Sequence, residues 1–173
     1  MQNLITNLKK EYFPIGLILI LALSRLIPHP DNFTPIIAIA IMGSYFFNNI
    51  NFSYLVVMLS MLIADFFIGF YSHILFVYLP LFLIIFLFFK MSKKINFKNL
   101  FVFGFGGSLI FFIISNFGVW LVTGLYEKNI NGLVQCYFMA IPFFKNTLIS
   151  TLVFSYLSLT IYKFSNKFFI VKV

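Results

Sequence analysis

Charged residues are scarce in this sequence, and their scarcity excludes most soluble folds. Only 9% of the 173 residues are charged, and Asp and Glu together number 4. Soluble domains carry about 25% charged and about 45–50% apolar residues, whereas 62% of this chain is hydrophobic. The composition excludes a soluble globular domain and indicates a membrane protein.

The chain also has a single cysteine, Cys136, which permits neither an internal disulfide nor a multi-cysteine metal site. Its formal charge of +8 would suggest nucleic acid as the partner of a soluble protein. Lysines at the ends of membrane helices explain that charge better. We therefore expect the lipid bilayer as a partner, and no nucleic acid, cofactor or metal.

Catalytic motifs are missing as well. The sequence contains no GxSxG, HExxH or Walker loop. Gly104, Gly106 and Gly107 do not form GxGxxG, and we expect them to allow tight helix packing. The sequence predicts no enzyme and no ATPase, so an ATP-driven step would need a coupling module on another chain.

Long apolar runs are abundant, and runs of about 20 residues can cross a hydrocarbon core as helices. They predict an all-α membrane protein, with residues 1–173 forming one transmembrane domain. Asn32 or Thr34 should cap the second helix, and residues 124–142 should form a long loop containing a short interfacial helix. The six expected helices are 12–27, 35–48, 53–70, 74–89, 100–123 and 143–164.

The lysines predict the orientation of these helices. Six spans with a cytoplasmic N-terminus leave only Arg25, Lys128 and Lys145 on the outer side. The basic residues then lying inside are Lys9, Lys10, Lys90, Lys93, Lys94, Lys98, Lys163, Lys167 and Lys172. Because basic residues favour the cytoplasmic side, we expect a multi-pass protein of the bacterial inner (plasma) membrane with both termini in the cytoplasm.

One polar corner, residues 24–35, interrupts the apolar pattern on the expected outer side. It contains the only arginine of the chain, Arg25, together with His29, Asn32 and half of the six prolines. Asp65 is the only carboxylate inside an expected span, and an ionised acid there needs a partner, a wet cavity or a proton. We expect Arg25 and Asp65 to pair, either as a structural ion pair or to bind and orient an anionic or carbonyl group.

Further candidates for solute binding lie near the same side. Asn116 and Trp120 share one helix face, where an amide and an indole could contact a ligand or anchor the helix. His29 and His73 lie in outer turns, and both also suit ordinary loop positions. The last outer loop adds Tyr126 and Tyr137, and the helix after it adds Asn146.

The polar residues resemble those of a family of small bacterial membrane proteins of unknown function, described as candidate transport proteins. The resemblance covers nearly the whole chain. The matching residues are Arg25, Pro28, His29, Asn32, Phe33, Thr34, Pro35, Ala38, Asp65, Gly69, Ser115, Asn116, Trp120, Tyr126, Gly132, Leu133, Cys136, Tyr137, Ile141, Pro142, Phe143, Phe144, Asn146 and Thr147.

More distantly, the layout is similar to the S components of energy-coupling factor (ECF) transporters. That resemblance implies a six-helix bundle and a vitamin-type site beneath the outer loops. It also implies an ATP-driven coupling module as a partner. The chain lacks the Ala-xxx-Ala motif that docks the coupling subunit in that family, and Ala40/Ser44 and Ser60/Ala64 are imperfect replacements.

Three functions remain open on this evidence. The first is a transport protein that binds a small solute, vitamin-like or anionic, near the outer face. The second is a structural or accessory subunit of a membrane complex, suggested by the small-residue helix faces. The third, an intramembrane enzyme using Asp65 with His29 or His73, would require those side chains to converge.

Overall fold

A computed structural model describes residues 2–165, with side chains from residue 11 onward. The prediction of an all-helical protein is confirmed for these residues, since they form helices joined by turns and loops. Lys167 and Lys172, which the orientation argument uses, lie outside the described residues. The helices are α1 (Gln2–Leu23), α2 (Ile36–Phe46), α3 (Ile50–Ile68), α4 (Leu75–Ser92), α5 (Leu100–Val122) and α6 (Ile130–Ser165), and a 3₁₀ turn (Ser24–Leu26) follows α1.

Four of these helices, α3 to α6, are long and apolar enough to cross a membrane. The protein is therefore a membrane protein, as the composition indicates. Its helices alternate in direction, so the turns gather at two ends of the bundle. We call the end with residues 24–35 and 69–74 the corner end, and the end with residues 47–49 and 93–99 the lysine end.

Helix α2 is the centre of the bundle. It has 11 residues, 10 of them buried, and it packs against each of the other five helices. At about 1.5 Å per residue it is roughly 16 Å long, about half of a hydrocarbon core of about 30 Å. A helix this short leaves its ends inside the membrane, where they must be shielded by protein. The burial of 10 of its residues provides this shielding.

Small residues allow the other helices to approach α2 closely. A β-carbon added at Gly107 would lie 3.0 Å from Ile37 Cγ2, and one added at Gly43 would overlap Val57 Cγ2. The small-residue pairs Ala40/Ser44 and Ser60/Ala64 are also buried within the chain. These pairs therefore serve internal packing and present no exposed surface to a second protein.

The two ends of α2 differ in their hydrogen bonds to side chains. At the lysine end, Lys93 Nζ donates to Ser44 O and Tyr45 O, both at 3.2 Å, and to Phe47 O. At the corner end, Pro35 occupies the N-cap position and no side chain caps the helix. The expected cap by Asn32 or Thr34 is therefore wrong. Asn32 instead adopts a left-handed turn with φ +58°.

Helix α6 departs most from the sequence prediction. It begins at Ile130 and runs through Pro142, so most of the expected loop 124–142 is helix. Asn129 starts it, because its Oδ1 accepts from Gly132 N at 2.8 Å. The missing N–H of Pro142 is tolerated, as it is in other membrane helices whose neighbours satisfy the freed groups.

Two other helix boundaries also differ from the prediction. Helix α1 begins at Gln2 and ends at Leu23, so Pro14 lies in its interior rather than in its first turn. Helix α3 begins at Ile50, because Asn49 Oδ1 accepts from Asn51 N at 2.8 Å and Phe52 N at 3.2 Å. Asn49, which lies between the expected helices 35–48 and 53–70, is thus a helix cap.

Hydroxyl side chains line one buried face of α6. Their small size lets helices pack closely in a membrane, and several donate to carbonyls of their own helix. Thr147 Oγ1 donates to Phe143 O at 3.1 Å, and Ser158 Oγ donates to Phe154 O at 2.6 Å. The buried hydroxyl residues of this face are Thr147, Ser150, Thr151, Ser155 and Ser158.

Candidate functional site

A polar cavity lies at the corner end, between the corner and the turn from α3 to α4. Its volume is about 210 Å³, and we call it the corner cavity. Residues before and at the start of α2 form one wall, so the uncapped end of that helix opens onto it. The lining residues are Arg25, Asn32, Thr34, Ile36, Tyr71, His73, Val77, Phe111 and Thr147.

A second cavity of about 120 Å³ adjoins the first between α5 and α6. We call it the inter-helix cavity. Asn32, His73, Val77, Phe111 and Thr147 line both cavities. Apolar rings dominate the remaining wall, with Ser115 and Asn116 adding polar groups. The other lining residues are Phe112, Val119, Ala140, Phe143 and Phe144.

An ion pair forms the base of the corner cavity. Arg25 Nη2 lies 2.7 Å from Asp65 Oδ1, with the aspartate side chain fully buried. The contact lacks the alignment of a hydrogen bond, but the other oxygen, Oδ2, accepts from the Tyr78 hydroxyl at 2.7 Å. The pair expected from the sequence is confirmed, and Tyr78 is a third member.

The guanidinium of Arg25 has donors that the protein does not use fully. Its side chain is 9% exposed, and Nε is buried without a hydrogen-bond partner among the described residues. Nη1 reaches the sulfur of Met61 at 3.7 Å, a weak acceptor, and the guanidinium also hydrogen-bonds the side chain of Tyr71. A guanidinium with five N–H donors therefore keeps unused hydrogen-bonding capacity beside the cavity.

Two aromatic residues of the turn between α3 and α4 complete this wall. Burial raises the pKa of Tyr71 to about 12, an effect that the Asp65 carboxylate increases and the Arg25 guanidinium opposes. Burial also lowers the pKa of His73, and its Nδ1 is buried without a hydrogen-bond partner in the described chain. The Tyr71 and His73 ring centroids are 4.9 Å apart. Tyr71 is thus a neutral phenol and His73 favours the neutral imidazole.

The corner is held over the cavity by α6. Asn146 Nδ2 donates to Asp31 O at 3.0 Å, and the rings of Phe33 and Phe154 lie 5.9 Å apart. Asn146, expected as a ligand-binding residue, therefore positions the corner backbone. His29 is exposed, and its Nδ1 lies 3.0 Å from Pro30 O.

The other predicted residues of the last loop mainly fix α5 to its neighbours. Trp120 Nε1 donates to Glu127 O at 2.9 Å, and Lys128 Nζ donates to Trp120 O. Tyr137 donates from its hydroxyl to Ile113 O at 2.6 Å. Among the described residues that line the two cavities, Trp120, Tyr126 and Tyr137 do not occur. Asn116 does, although its Nδ2 donates to Phe112 O at 2.8 Å.

The structure thus brings Arg25, Asn32, His73 and Asn116 to the two cavities, with Asp65 directly behind Arg25. The sequence analysis missed Tyr71, Tyr78, Phe111 and Thr147. Within the described chain, no group of three or more His, Cys, Asp or Glu residues could hold a metal ion. The arrangement suits the binding of a small polar molecule.

Comparison with known proteins gives one match. Residues 6–171 match the profile of a family described as a family of unknown function, DUF6580. The chain belongs to the DUF6580 family. No curated protein and no solved structure matches it significantly.

Membership of DUF6580 confirms the resemblance to a family of unknown function over nearly the whole chain. It assigns no activity to the cavities of this DUF6580 protein. The likeness to ECF S components, and the coupling module that it implies, remain predictions.

Proposed function

We propose that this protein binds a small solute in the corner cavity and acts in membrane transport. One observation carries the proposal. A guanidinium that is 9% exposed lines the cavity, and its Nε has no hydrogen-bond partner among the described residues. Buried polar groups are normally satisfied. Nε has almost no accessible surface, so an acceptor oxygen of a solute would reach it only after the neighbouring side chains shift.

Several further features support a binding site over a purely structural ion pair. A structural pair is closed, with its donors directed at protein acceptors. Here His73 Nδ1 also lacks a partner among the described residues, and Asn32 and Thr34 contribute polar groups to the same wall. Ligand sites are typically apolar pockets with a few convergent polar groups, and the corner cavity combines Ile36, Val77 and Phe111 with such groups.

The volume of the corner cavity limits the size of the solute that it can hold. At about 30 Å³ per water molecule, 210 Å³ equals the volume of roughly seven waters. A larger solute would need the adjoining inter-helix cavity as well. Below the corner cavity the core of α2 is apolar and buried, so inward release would require the helices to tilt or a partner to move them.

In the orientation expected from the lysines, the corner end lies outside and the solute would enter from the exterior. The accessory-subunit alternative relied on small-residue faces. Because Ala40, Ser44, Ser60 and Ala64 are buried within the chain, those faces give that alternative no binding surface.

The test is native mass spectrometry of the protein gently extracted from its own cells. We expect a defined small-molecule adduct that disappears in the double variant Arg25→Met/Asp65→Asn. Removing both charges together avoids an unpaired buried charge, which would itself destabilise the fold by about 3–5 kcal/mol.

Trp120→Phe is the matched control, because Trp120 lies outside both cavities, and it should retain the adduct. An adduct that survives in the double variant would place the site elsewhere. A stoichiometric protein partner without any small molecule would favour the accessory-subunit function instead.

A further inference from the structure

The corner cavity meets the N-terminal end of α2, and this end has no acceptor of its own. In an α-helix the first N–H groups have no intrahelical acceptor. Pro35 at the N-cap has no N–H, which leaves those of Ile36, Ile37 and Ala38. No side chain caps them, and all three residues are less than 9% exposed. Ile36 lines the cavity.

The electrostatics of this end favour a negative charge. A helix N-terminus carries the equivalent of about half a positive charge, and converging N–H groups make it suited to anions. The opposite end of α2 is already neutralised by the Lys93 ammonium, which donates to Ser44 O and Tyr45 O at 3.2 Å. Within residues 11–165, no side chain is seen to accept from the N–H groups at the corner end of α2.

Arg25 is a second and independent feature that favours an anion in the corner cavity. Its side chain is nine-tenths buried and lines the same cavity, and its Nε has no partner among the described residues. Asp65 faces Nη2 of the guanidinium, while the buried Nε stays without an acceptor among the described residues. Arginine recognises carboxylate and phosphate groups through this planar set of donors.

The charges around the corner cavity limit the charge of the anion that it can bind. From the corner Arg25 contributes one positive charge, and from α3 Asp65 contributes one negative charge. Tyr71 and His73 from the turn and Tyr78 from α4 are the other titratable groups. Arg25 and Asp65 cancel, so the helix N-terminus adds the remaining positive charge of about half a unit. A bound monoanion then leaves about half an excess negative charge, and a dianion leaves about one and a half. Because uncompensated buried charge is costly, a monoanion fits this site better.

We propose that the α2 N-terminus and Arg25 together bind the carboxylate of a small organic monoanion. This inference depends on the proposed function and narrows its solute class. The carboxylate lies in the corner cavity, between Ile36 and Arg25. The apolar body of the anion extends into the inter-helix cavity, whose wall includes Phe112, Phe143 and Phe144.

Isothermal titration calorimetry on the detergent-purified full chain tests the anion preference with three probes. They are benzoate, its uncharged isostere benzamide and the dianion phenyl phosphate. We expect benzoate to bind at least about tenfold more tightly than benzamide, a difference of about 1.4 kcal/mol, and more tightly than phenyl phosphate.

The variant Pro35→Asp tests the role of the helix end. An aspartate at the N-cap accepts from the first N–H groups and adds the negative charge that the anion would supply. It should keep the chain folded, as thermal unfolding will verify, and weaken benzoate binding at least about tenfold. The control Pro35→Ala removes the proline without adding a carboxylate, and its affinity should stay within about twofold of the native value.

Each remaining outcome overturns the proposal in a distinct way. Equal affinities for benzoate and benzamide would exclude an anion site and leave a neutral-solute function standing. Tighter binding of phenyl phosphate would replace the monocarboxylate with a phosphate. Undiminished binding in Pro35→Asp would remove the helix N-terminus from the site, and absence of binding by all three probes would overturn the carboxylate assignment.

Discussion

Arg25 illustrates what one charged side chain does in a chain with few charges. Its guanidinium reaches the buried carboxylate of Asp65 at 2.7 Å, and Tyr78 donates to the second carboxylate oxygen. A buried pair of this kind can be replaced by apolar groups at little cost, whereas removing one partner leaves a charge without compensation. The pair therefore restricts which single substitutions the corner tolerates.

We predict that Arg25→Ala lowers the free energy of unfolding by about 3–5 kcal/mol. The fully buried carboxylate of Asp65 would then retain only the Tyr78 hydroxyl as a donor. The double variant Arg25→Met/Asp65→Asn should recover most of this loss. Denaturant unfolding in detergent micelles measures both. A double variant that is no more stable than Arg25→Ala would contradict the cost assigned to the unpaired carboxylate.

The lowered pKa of His73 predicts that the stability of the protein depends on pH. Burial lowers its pKa below the ordinary value of 6.5 in the folded protein. Below about pH 6.5 the unfolded chain takes up a proton at His73 that the folded chain does not, so stability falls with pH. The contribution is present above pH 6.5 and is lost as the pH drops through the lower folded pKa.

Thermal unfolding between pH 7.5 and pH 5 should therefore show a shallower decline for His73→Gln than for the native chain. His29→Gln is the matched control, because His29 is the other histidine and is exposed. It should follow the native curve. A native curve and a His73→Gln curve that coincide would contradict a proton linkage at His73.

The charged members of the site could be predicted from the sequence, while its neutral members could not. Arg25 and Asp65 stand out because ionised groups are costly in a membrane and need each other. Tyr71, Tyr78 and Phe111 occur in a chain with 27 Phe and 9 Tyr, where one more aromatic ring carries no signal. Trp120 stood out as the only tryptophan, but its indole N–H is used by Glu127 O.

At the scale of the element, α2 determines how closely its neighbours pack. Gly43 lies against α3, with no room for a β-carbon beside Val57. We predict that Gly43→Ala destabilises the protein by about 1–3 kcal/mol, the usual cost of overpacking a filled core.

Gly16 in α1 provides the matched control, since a β-carbon there would meet nothing within 4 Å. In Gly16→Ala the change should be neutral or stabilising, because alanine favours the helix by up to about 1 kcal/mol. Thermal unfolding of the two variants side by side gives the comparison. Equal stabilities would mean that α3 can move away from Gly43 without cost.

The hydropathy of the sequence predicts that these helices exist. Their first and last residues depend on individual side chains that the sequence marks only weakly. Asn129 starts α6 by accepting from one backbone N–H group, and Asn49 starts α3 by accepting from two. In the sequence both residues lie among other asparagines or glycines that equally suggest a loop. Pro142 looked like a helix boundary, but the helices packed around α6 allow the chain to remain helical across it.

At the scale of the whole molecule, the two ends of the bundle differ in charge. Lys93, Lys94 and Lys98 lie at the lysine end, while the corner end carries the cavity. The positive-inside rule then predicts that the lysine end faces the cytoplasm. The solute would meet the protein from outside under this arrangement.

Cysteine labelling in intact cells tests this orientation. In a Cys136→Ser background, Ser72→Cys at the corner end should react with a membrane-impermeant maleimide, whereas Lys94→Cys at the lysine end should not. Both positions are exposed, and permeabilised cells should label at both. Labelling of Lys94→Cys alone in intact cells would reverse the orientation.

The capping of α2 by Lys93 has a consequence for the biogenesis of the protein. With 11 residues, α2 is too short to be inserted by the translocon as an independent span. Its C-terminal carbonyls receive the Lys93 ammonium, which the ribosome makes only after α3 and α4. The nascent chain must therefore hold this segment at the membrane surface or in the translocon until α4 emerges, and the core of the bundle is completed out of sequence order.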